Sequence, residues 1–259
     1  MFKEIKVITT DHFVNQIITK KFSTSCKGKL ISINEYKFNE IDTIATYGIL
    51  RGTGELLKIS NSFWYIDHGY FKGSKRTFKQ GTNILDLNGY FRIVYNGFFH
   101  NGKGNYSSDR FNKLNISPKP IKKNGSYIIL SEPSENIKKF FGLINWKENT
   151  INEIKKYTDR KIFIHNKNSK IDLMTLLKNA WAFVGLQSTA GLKAMIEGIP
   201  AHFTLDNLQN INPLKKIEER NIDIKIFNNL AYGQWTLKEI ESGEAWDFIS
   251  KNNYSFSQK

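Results

Sequence analysis

The chain has little with which to build covalent or metal cross-links. Cys26 is its single cysteine, so an intrachain disulfide and a cysteine-based zinc site are both excluded. Neither a histidine nor a second cysteine stands near it in sequence, so it reads as a packing residue. No run of about 18 apolar residues occurs, which removes the usual signature of a spanning helix. The opening residues, MFKEIKVITT, read as a first strand and lack the apolar stretch of a secretory signal. A soluble, reduced, cytoplasmic protein is expected. Acidic residues are in the minority, 24 Asp+Glu against 38 Lys+Arg, for a net charge of +14. No low-complexity tail and no internal repeat is visible.

What is present supports a folded enzyme-sized chain. In 259 residues, 40% hydrophobic and 14% aromatic content is enough for a real core and argues against disorder. The length allows one large domain or two of about 100–150 residues. The positive excess favours polyanionic partners: nucleic acid, an anionic membrane surface or phosphorylated small molecules. Abundant Lys, Asn and Ile also fit a compositional bias with no functional meaning.

Strand and helix signals alternate, which predicts an α/β architecture. Strands are expected at 5–9, 30–33, 43–47, 63–66 and 89–94, with helices at 12–21 and about 53–58. Pro118 to Gly125 clusters proline, lysine and glycine with no apolar period, and reads as a linker. A second series follows: strands at 127–130, 161–164, 182–184 and 201–203, and helices at 134–141, 150–157, 171–179 and 188–197. The expected organisation is two Rossmann-like halves with a central cleft. They would comprise residues 1–120 and 121–259, joined near 112–125, with a last helix at 237–248 packing back on the first half.

The most informative stretch runs from Trp181 to Phe203. A buried strand ends at Gly185, and Gln187, Ser188 and Thr189 open the next helix. Unpaired N–H groups and the positive end of a helix dipole make such a start an anion site. Ser188 and Thr189 add hydroxyls, and Gly191 is expected to let a ligand approach the backbone. An ordinary capped helix has the same local features. The wider pattern, a strand, then Ser-Thr-Ala-Gly, then a helix ending in Glu197 before Gly-Ile-Pro and another strand, resembles the donor half of GT-B glycosyltransferases. The likeness is nearest to the capsule-polysaccharide and UDP-sugar transferase groups. It implies that Ser188, Thr189, Ala190 and Gly191 form the phosphate loop of a nucleotide-sugar donor, a UDP-sugar first of all, and that Glu197 touches the ribose.

Ligands in open α/β sheets bind beyond the carboxyl ends of strands, so other loops are candidates. Ser131 and Glu132 follow one strand of the second series; His165 and Lys167 follow another. Lys167 would neutralise a diphosphate and His165 would hydrogen-bond it, or both are ordinary strand-end residues. In the first series an aromatic strand delivers Asp67 and His68. Asp67 is the expected general base for an acceptor hydroxyl, with His68 as its substitute, unless Asp67 caps a turn. Arg51-Gly-Thr-Gly-Glu55 is a poor dinucleotide fingerprint, with Leu57 in the third glycine's place. It reads as a loop in which Arg51 contacts phosphate and Glu55 is an alternative base. Lys72, Lys75, Arg76 and Lys79 form a basic stretch suited to a phosphate backbone, or to solvent.

Taken whole, the chain is similar to small phage-encoded glycosyltransferases, through residues 46–55, 65–70, 130–133 and 231–246. That resemblance implies duplex DNA carrying hydroxymethylated bases as acceptor, in the host cytoplasm. Two other readings stand beside it: transfer to a cell-surface glycan or lipid-linked acceptor, and a non-catalytic DNA-binding protein. No DxD-like pair sits in a suitable loop, so no metal is expected at the diphosphate; helix dipole and basic residues would stabilise the leaving group. Nothing in the sequence fixes the oligomeric state.

Overall fold

A computed structural model describes residues 4–74, 76–79, 82–205, 208 and 211–252, with only the backbone described at 76–79 and 82–85. The chain forms two compact units: Met1–Leu114 together with Lys225–Lys259, and Asn115–Ile224.

The first unit contains β1 (Ile5–Thr9), α1 (Phe13–Cys26), β2 (Lys29–Ser32), β3 (Thr43–Tyr47), α2 (Thr53–Ile59), β4 (Ser62–His68), the hairpin β5 (Arg76–Lys79) and β6 (Thr82–Leu85), β7 (Tyr90–Tyr95) and α3 (Asp109–Asn112). The second unit holds β8 (Tyr127–Ser131), α4 (Glu135–Phe141), α5 (Trp146–Ile154), β9 (Lys161–His165), α6 (Leu173–Leu177), β10 (Ala180–Gly185), α7 (Thr189–Ile196), β11 (Ala201–Phe203) and a 3₁₀ turn (Leu214–Lys216). The chain then returns to the first unit with α8 (Lys225–Ala231), β12 (Gln234–Thr236), α9 (Leu237–Glu241) and α10 (Glu244–Asn252).

In the first unit the sheet order is β12-β7-β4-β3-β1-β2. Strands β1 to β4 are mutually parallel, while β7 runs antiparallel to β4 and β12 antiparallel to β7. Helix α1 buries Asn15, Ile18, Thr19, Phe22 and Ser23, a 3.6-residue stripe that faces the sheet. It ends at Lys27 in the left-handed region (φ 53°). Gly28 follows because any Cβ there would lie 2.7 Å from the carbonyl oxygen of Ile5.

The second unit is a four-stranded parallel sheet, β11-β10-β8-β9. Its strands are almost continuously apolar, as expected of a sheet covered on both faces. Ile128, Leu130, Ala182 and Val184 pack with Trp146, Ile154 and Ile217 on one face. On the other, Phe183 and Phe203 lie against α7 at Gly191.

The α/β class with two Rossmann-like halves is therefore what the chain adopts. Both units share one winding: β2-β1-β3-β4 in the first and β9-β8-β10-β11 in the second. The second strand in sequence lies outside the first, and the third and fourth lie on its other side. No residue-level repeat accompanies this.

Two expectations need correction. Residues 225–252 do not stay with the second half as the 121–259 boundary expects: β12 extends the first unit's sheet beside β7, and α9 and α10 pack against α1, where the last helix was expected to return. The expected single helix at 237–248 is two, broken at Gly243, whose φ of 88° no helix accommodates.

Arg110 holds the returning segment. Its guanidinium donates to the carbonyls of Ala231 (3.2 Å) and Gln234 (2.9 Å) and to Glu239 (2.9 Å), and lies 4.0 Å from the centre of the Trp235 ring. Both partners of the ion pair are mostly buried. Removing one partner of such a pair strands the other, at a cost of roughly 3–5 kcal/mol. Arg110→Ala is thus expected to destabilise the first unit by about that amount. Hydrogen exchange checks it: amides of residues 225–252 should lose protection while those of β8 and β10 keep theirs.

Candidate functional site

In the second unit, successive connections run in opposite directions from β8 and β10. The chain leaves β8 toward α4 on one face and leaves β10 toward α7 on the other. Adjacent strands whose connections diverge open a crevice at their carboxyl ends, the place where open α/β sheets take ligands. The register sets His165, Ser131 and Gly185 side by side across β9, β8 and β10, about 4.8 Å from strand to strand. All three share the sheet face that carries Phe183 and α7. A hydroxyl, an imidazole and the start of α7 are thereby gathered at one edge of a single unit.

Helix α7 begins with Ser188 as N-cap, its Oγ accepting the Ala190 N–H at 3.0 Å. Gly191 N–H donates to the Ser188 carbonyl at 3.1 Å. Two of the four proposed loop residues therefore have their amides engaged inside the helix start, and Thr189 is exposed and in the first turn, where an amide has no intrahelical partner. Gln187 is half-buried, with its Oε1 shielded from solvent and without a hydrogen-bond partner. A buried acceptor left this way costs about 1–3 kcal/mol. Lys193, absent from the candidates above, is exposed four residues beyond Thr189 and so on the same helix face.

Other candidates fall differently. Gly191 is a glycine for packing and not for ligand approach: a Cβ there would meet Phe203 at 2.7 Å and Phe183 at 3.2 Å. Glu197 stands at the far end of α7, about 12 Å from its start, and pairs with Lys119 at 2.6 Å. Its distance from the phosphate loop does not suit a ribose contact there. Glu132 continues the β8–β9 ladder through its N–H to His165 O (2.8 Å), and its carboxylate accepts from Lys138 at 3.0 Å. Lys167 is exposed at the tip of a turn closed by Asn166 and Ser169, on the same edge as Ser131.

In the first unit, Asp67 lies within β4 and not beyond it. One carboxylate oxygen accepts from Tyr65 OH (2.7 Å) and Arg92 Nη2 (2.8 Å); the other accepts the His68 N–H (2.8 Å). Arg92, opposite it on β7, is 7% exposed and lies among the rings of Tyr65, Tyr70 and Phe99. Burial alone would raise the Asp67 pKa; Arg92 above all, then His68 and the hydrogen bonds, outweigh it and hold the carboxylate below its usual range. A carboxylate so engaged is a poor proton acceptor. The general-base expectation for Asp67 gives way to a structural ion pair.

His68 points to the opposite face, as the pleat requires. Its Nδ1 is hydrogen-bonded to Ser74 Oγ, and its Nε2 lies 3.4 Å from Tyr47 OH at the end of β3. The carbonyl of Tyr47 accepts from Asn15, whose Oδ1 accepts the Thr10 N–H. Asn15 thus ties together the ends of β1 and β3, the switch point of the first unit. Arg51 stands beside that point, half-exposed in the left-handed region (φ 61°) and 3.9 Å from Asp11. Lys72 is exposed. Arg76 and Lys79 lie on β5, where only the backbone is described, and Lys75 falls outside the described residues. Glu55 pairs with Lys58 on exposed α2.

Among the described residues no three His, Cys, Asp or Glu side chains gather as a metal site would need, and no helix is long and apolar enough to cross a membrane.

No family model matches the chain, and no curated protein does. Solved structures of similar outline include KpsC of Thermosulfurimonas dismutans twice. Its β-Kdo 2,4 transferase is 9% identical at a TM-score of 0.49, covering 89% of this chain and 90% of that one. Its β-Kdo 2,7 transferase is 9% identical at 0.48, covering 95% and 100%. A putative aspartate carbamoyltransferase from Trypanosoma cruzi, 10% identical, scores 0.26 over 89% and 82%. At such scores and identities none of these likenesses bears on substrate or mechanism.

Two substitutions separate structure from chemistry. Asp67→Asn should destabilise the fold by roughly 3–5 kcal/mol, because it leaves Arg92 buried without its counter-charge. Since the folded pKa of Asp67 is depressed, its stabilisation is present above the unfolded pKa and is lost as pH falls through the folded one. Denaturant midpoints of wild type and Asp67→Asn should therefore begin to converge as pH falls below about 4 and meet only below the depressed folded pKa. Gly191→Val should cost about 1–3 kcal/mol by overpacking against Phe203, measured in the same way without any ligand.

Proposed function

We propose that the chain is a glycosyltransferase that takes its sugar from a nucleoside diphosphate donor, a UDP-sugar being the first probe. One observation carries the reading: Ser131, His165 and the start of α7 converge at the switch point of the second unit. Hydroxyl and imidazole donors with a helix N-terminus suit a diphosphate, and they are aimed where negative charge grows as the leaving group departs. Lys193 and Lys167 add positive charge at that edge. Ser188 Oγ accepts the Ala190 N–H and keeps its own O–H to donate to the phosphate.

In the reaction the acceptor oxygen attacks the anomeric carbon and the bond from that carbon to the phosphate oxygen breaks. The acceptor proton passes to a base and the diphosphate leaves with the bonding pair. Asp67 is too well neutralised for the base. His68 is the first unit's remaining candidate, its Nδ1 hydrogen-bonded to Ser74 Oγ and its Nε2 3.4 Å from Tyr47 OH.

A glycan hydroxyl is the favoured acceptor over a base in DNA. Of the six arginines, Arg92 and Arg110 are committed to ion pairs inside the first unit, and Arg160 and Arg220 sandwich Trp181 at 3.5 and 4.0 Å in the second. Arginine is the residue best shaped for bidentate phosphate and base contacts, and here it mostly holds the fold. The DNA reading rests on the net charge and on Lys72 to Lys79. A labelled-sugar assay offering a bacterial surface glycan, a lipid-linked acceptor and hydroxymethylated duplex DNA decides: label appearing in DNA alone would overturn the glycan acceptor.

Thr189→Asp is the sharpest test of the donor site. An acidic residue in the first turn favours the helix itself by about 0.3–1 kcal/mol, so the protein should fold as well or better. A diphosphate would be repelled, and donor affinity should fall about tenfold or more; an unchanged Kd by calorimetry would place the donor elsewhere. His68→Gln tests that candidate: a fall in turnover of roughly 10²–10⁴-fold with donor Kd preserved supports it as the base, and turnover near wild type excludes it.

A further inference from the structure

The second unit holds a cavity of about 730 Å³ that the site described above does not use. It opens beside the carboxyl ends of β10 and β11, and its walls include Trp146, Leu186, Leu205 and Leu214. Leu186 is the residue between Gly185 and Gln187, so the cavity wall and the anion-binding helix start are neighbours in one continuous segment. The frame is rigid. Thr204 N–H donates to Gly185 O (2.9 Å), Leu205 N–H to Leu186 O (3.1 Å), and Trp146 Nε1–H to Thr204 Oγ1 (2.9 Å), which fixes the indole. At the mouth stand Asn149 and Glu153, both on α5.

The volume is that of a small-molecule site, roughly 300–1,000 Å³. Its chemistry narrows the occupant. Among the described lining residues Lys215 is the only cation and Glu153 the only anion, so a phosphate finds no net positive charge here. A sugar carries hydroxyls around its whole rim, whereas polar side chains such as Asn149 and Glu153 make up only part of a lining otherwise rich in leucine, phenylalanine and tryptophan. A neutral, planar ring with apolar faces and a polar edge fits both the walls and the mouth.

We propose that this cavity takes the nucleobase of the donor, its faces against the apolar walls beside Trp146 and its edge toward Asn149 and Glu153, with the phosphates at the start of α7. The inference rests on the donor reading above and adds where the base sits.

The probes are the four ribonucleoside 5′-diphosphates and inorganic pyrophosphate, titrated into the full chain. Binding is read by calorimetry and by the indole ¹⁵N–H resonance of Trp146, assigned through Trp146→Phe. Leu205→Trp fills the cavity from its wall, and Asn149→Trp covers it from an exposed position that the fold does not need. The expected result is that at least one nucleotide shifts the Trp146 resonance. Either variant should then weaken that nucleotide by about tenfold or more while pyrophosphate binds as to wild type. If nucleotides and pyrophosphate bind but Trp146 stays silent and both folded variants keep full nucleotide affinity, the base lies elsewhere and only the donor reading survives. If neither pyrophosphate nor any nucleotide binds, the donor reading fails and this inference falls with it.

Discussion

Crossover connections between parallel strands are right-handed, and this constraint decides where the chain can do chemistry. Once the second strand of each unit has gone to one side of the first, the third and fourth strands on the other side need helices on the opposite face. The connections then diverge at a single place along the sheet edge. In the second unit that place lies between β8 and β10, and Ser131, Glu132, Gln187 and Thr189 stand around it because of the winding. In the first unit it lies between β1 and β3, where Asn15 binds both strand ends. The local sequences differ, yet the same constraint yields the same kind of crevice.

Packing explains which residues are available for a ligand. Gly191 and Phe203 interlock to bring α7 close to the sheet, so the glycine is spent on helix–sheet contact. Arg92 and Asp67 neutralise each other inside an aromatic surround, so neither is available to a ligand. Arg110 and the Thr236–Glu239 capping box secure the returning C-terminal segment. Charges that look functional in a list of residues are in these places the fasteners of the fold.

Much of the framework was legible from pattern alone. Apolar runs located β1, β3, β8, β10 and β11 to within a residue or two, because buried parallel strands have little freedom in composition. The Ser-Thr-Ala-Gly start of α7 was legible because a cap and a dipole are local. What escaped depends on partners far away in sequence. Arg92 is 25 residues from Asp67, and nothing near Asp67 announces a cation. The membership of β12 in the first sheet is set by pairing with β7 across more than a hundred residues. The length of β4 was underestimated because Asp67 and His68 resemble a turn, whereas each is satisfied inside the strand. The shared 2-1-3-4 winding is a property of topology, and topology leaves no repeat in the residues.

The central claim is that a diphosphate binds at the ends of β8 and β10 in the second unit. The most direct measurement is a crystal structure of the protein soaked with a β-thio nucleoside diphosphate, with the sulfur located by anomalous scattering. The account predicts a peak at the first turn of α7, beside Thr189 and within reach of Ser131 or His165. A peak at the Arg51–Glu55 stretch of the first unit, with the start of α7 empty, would contradict it.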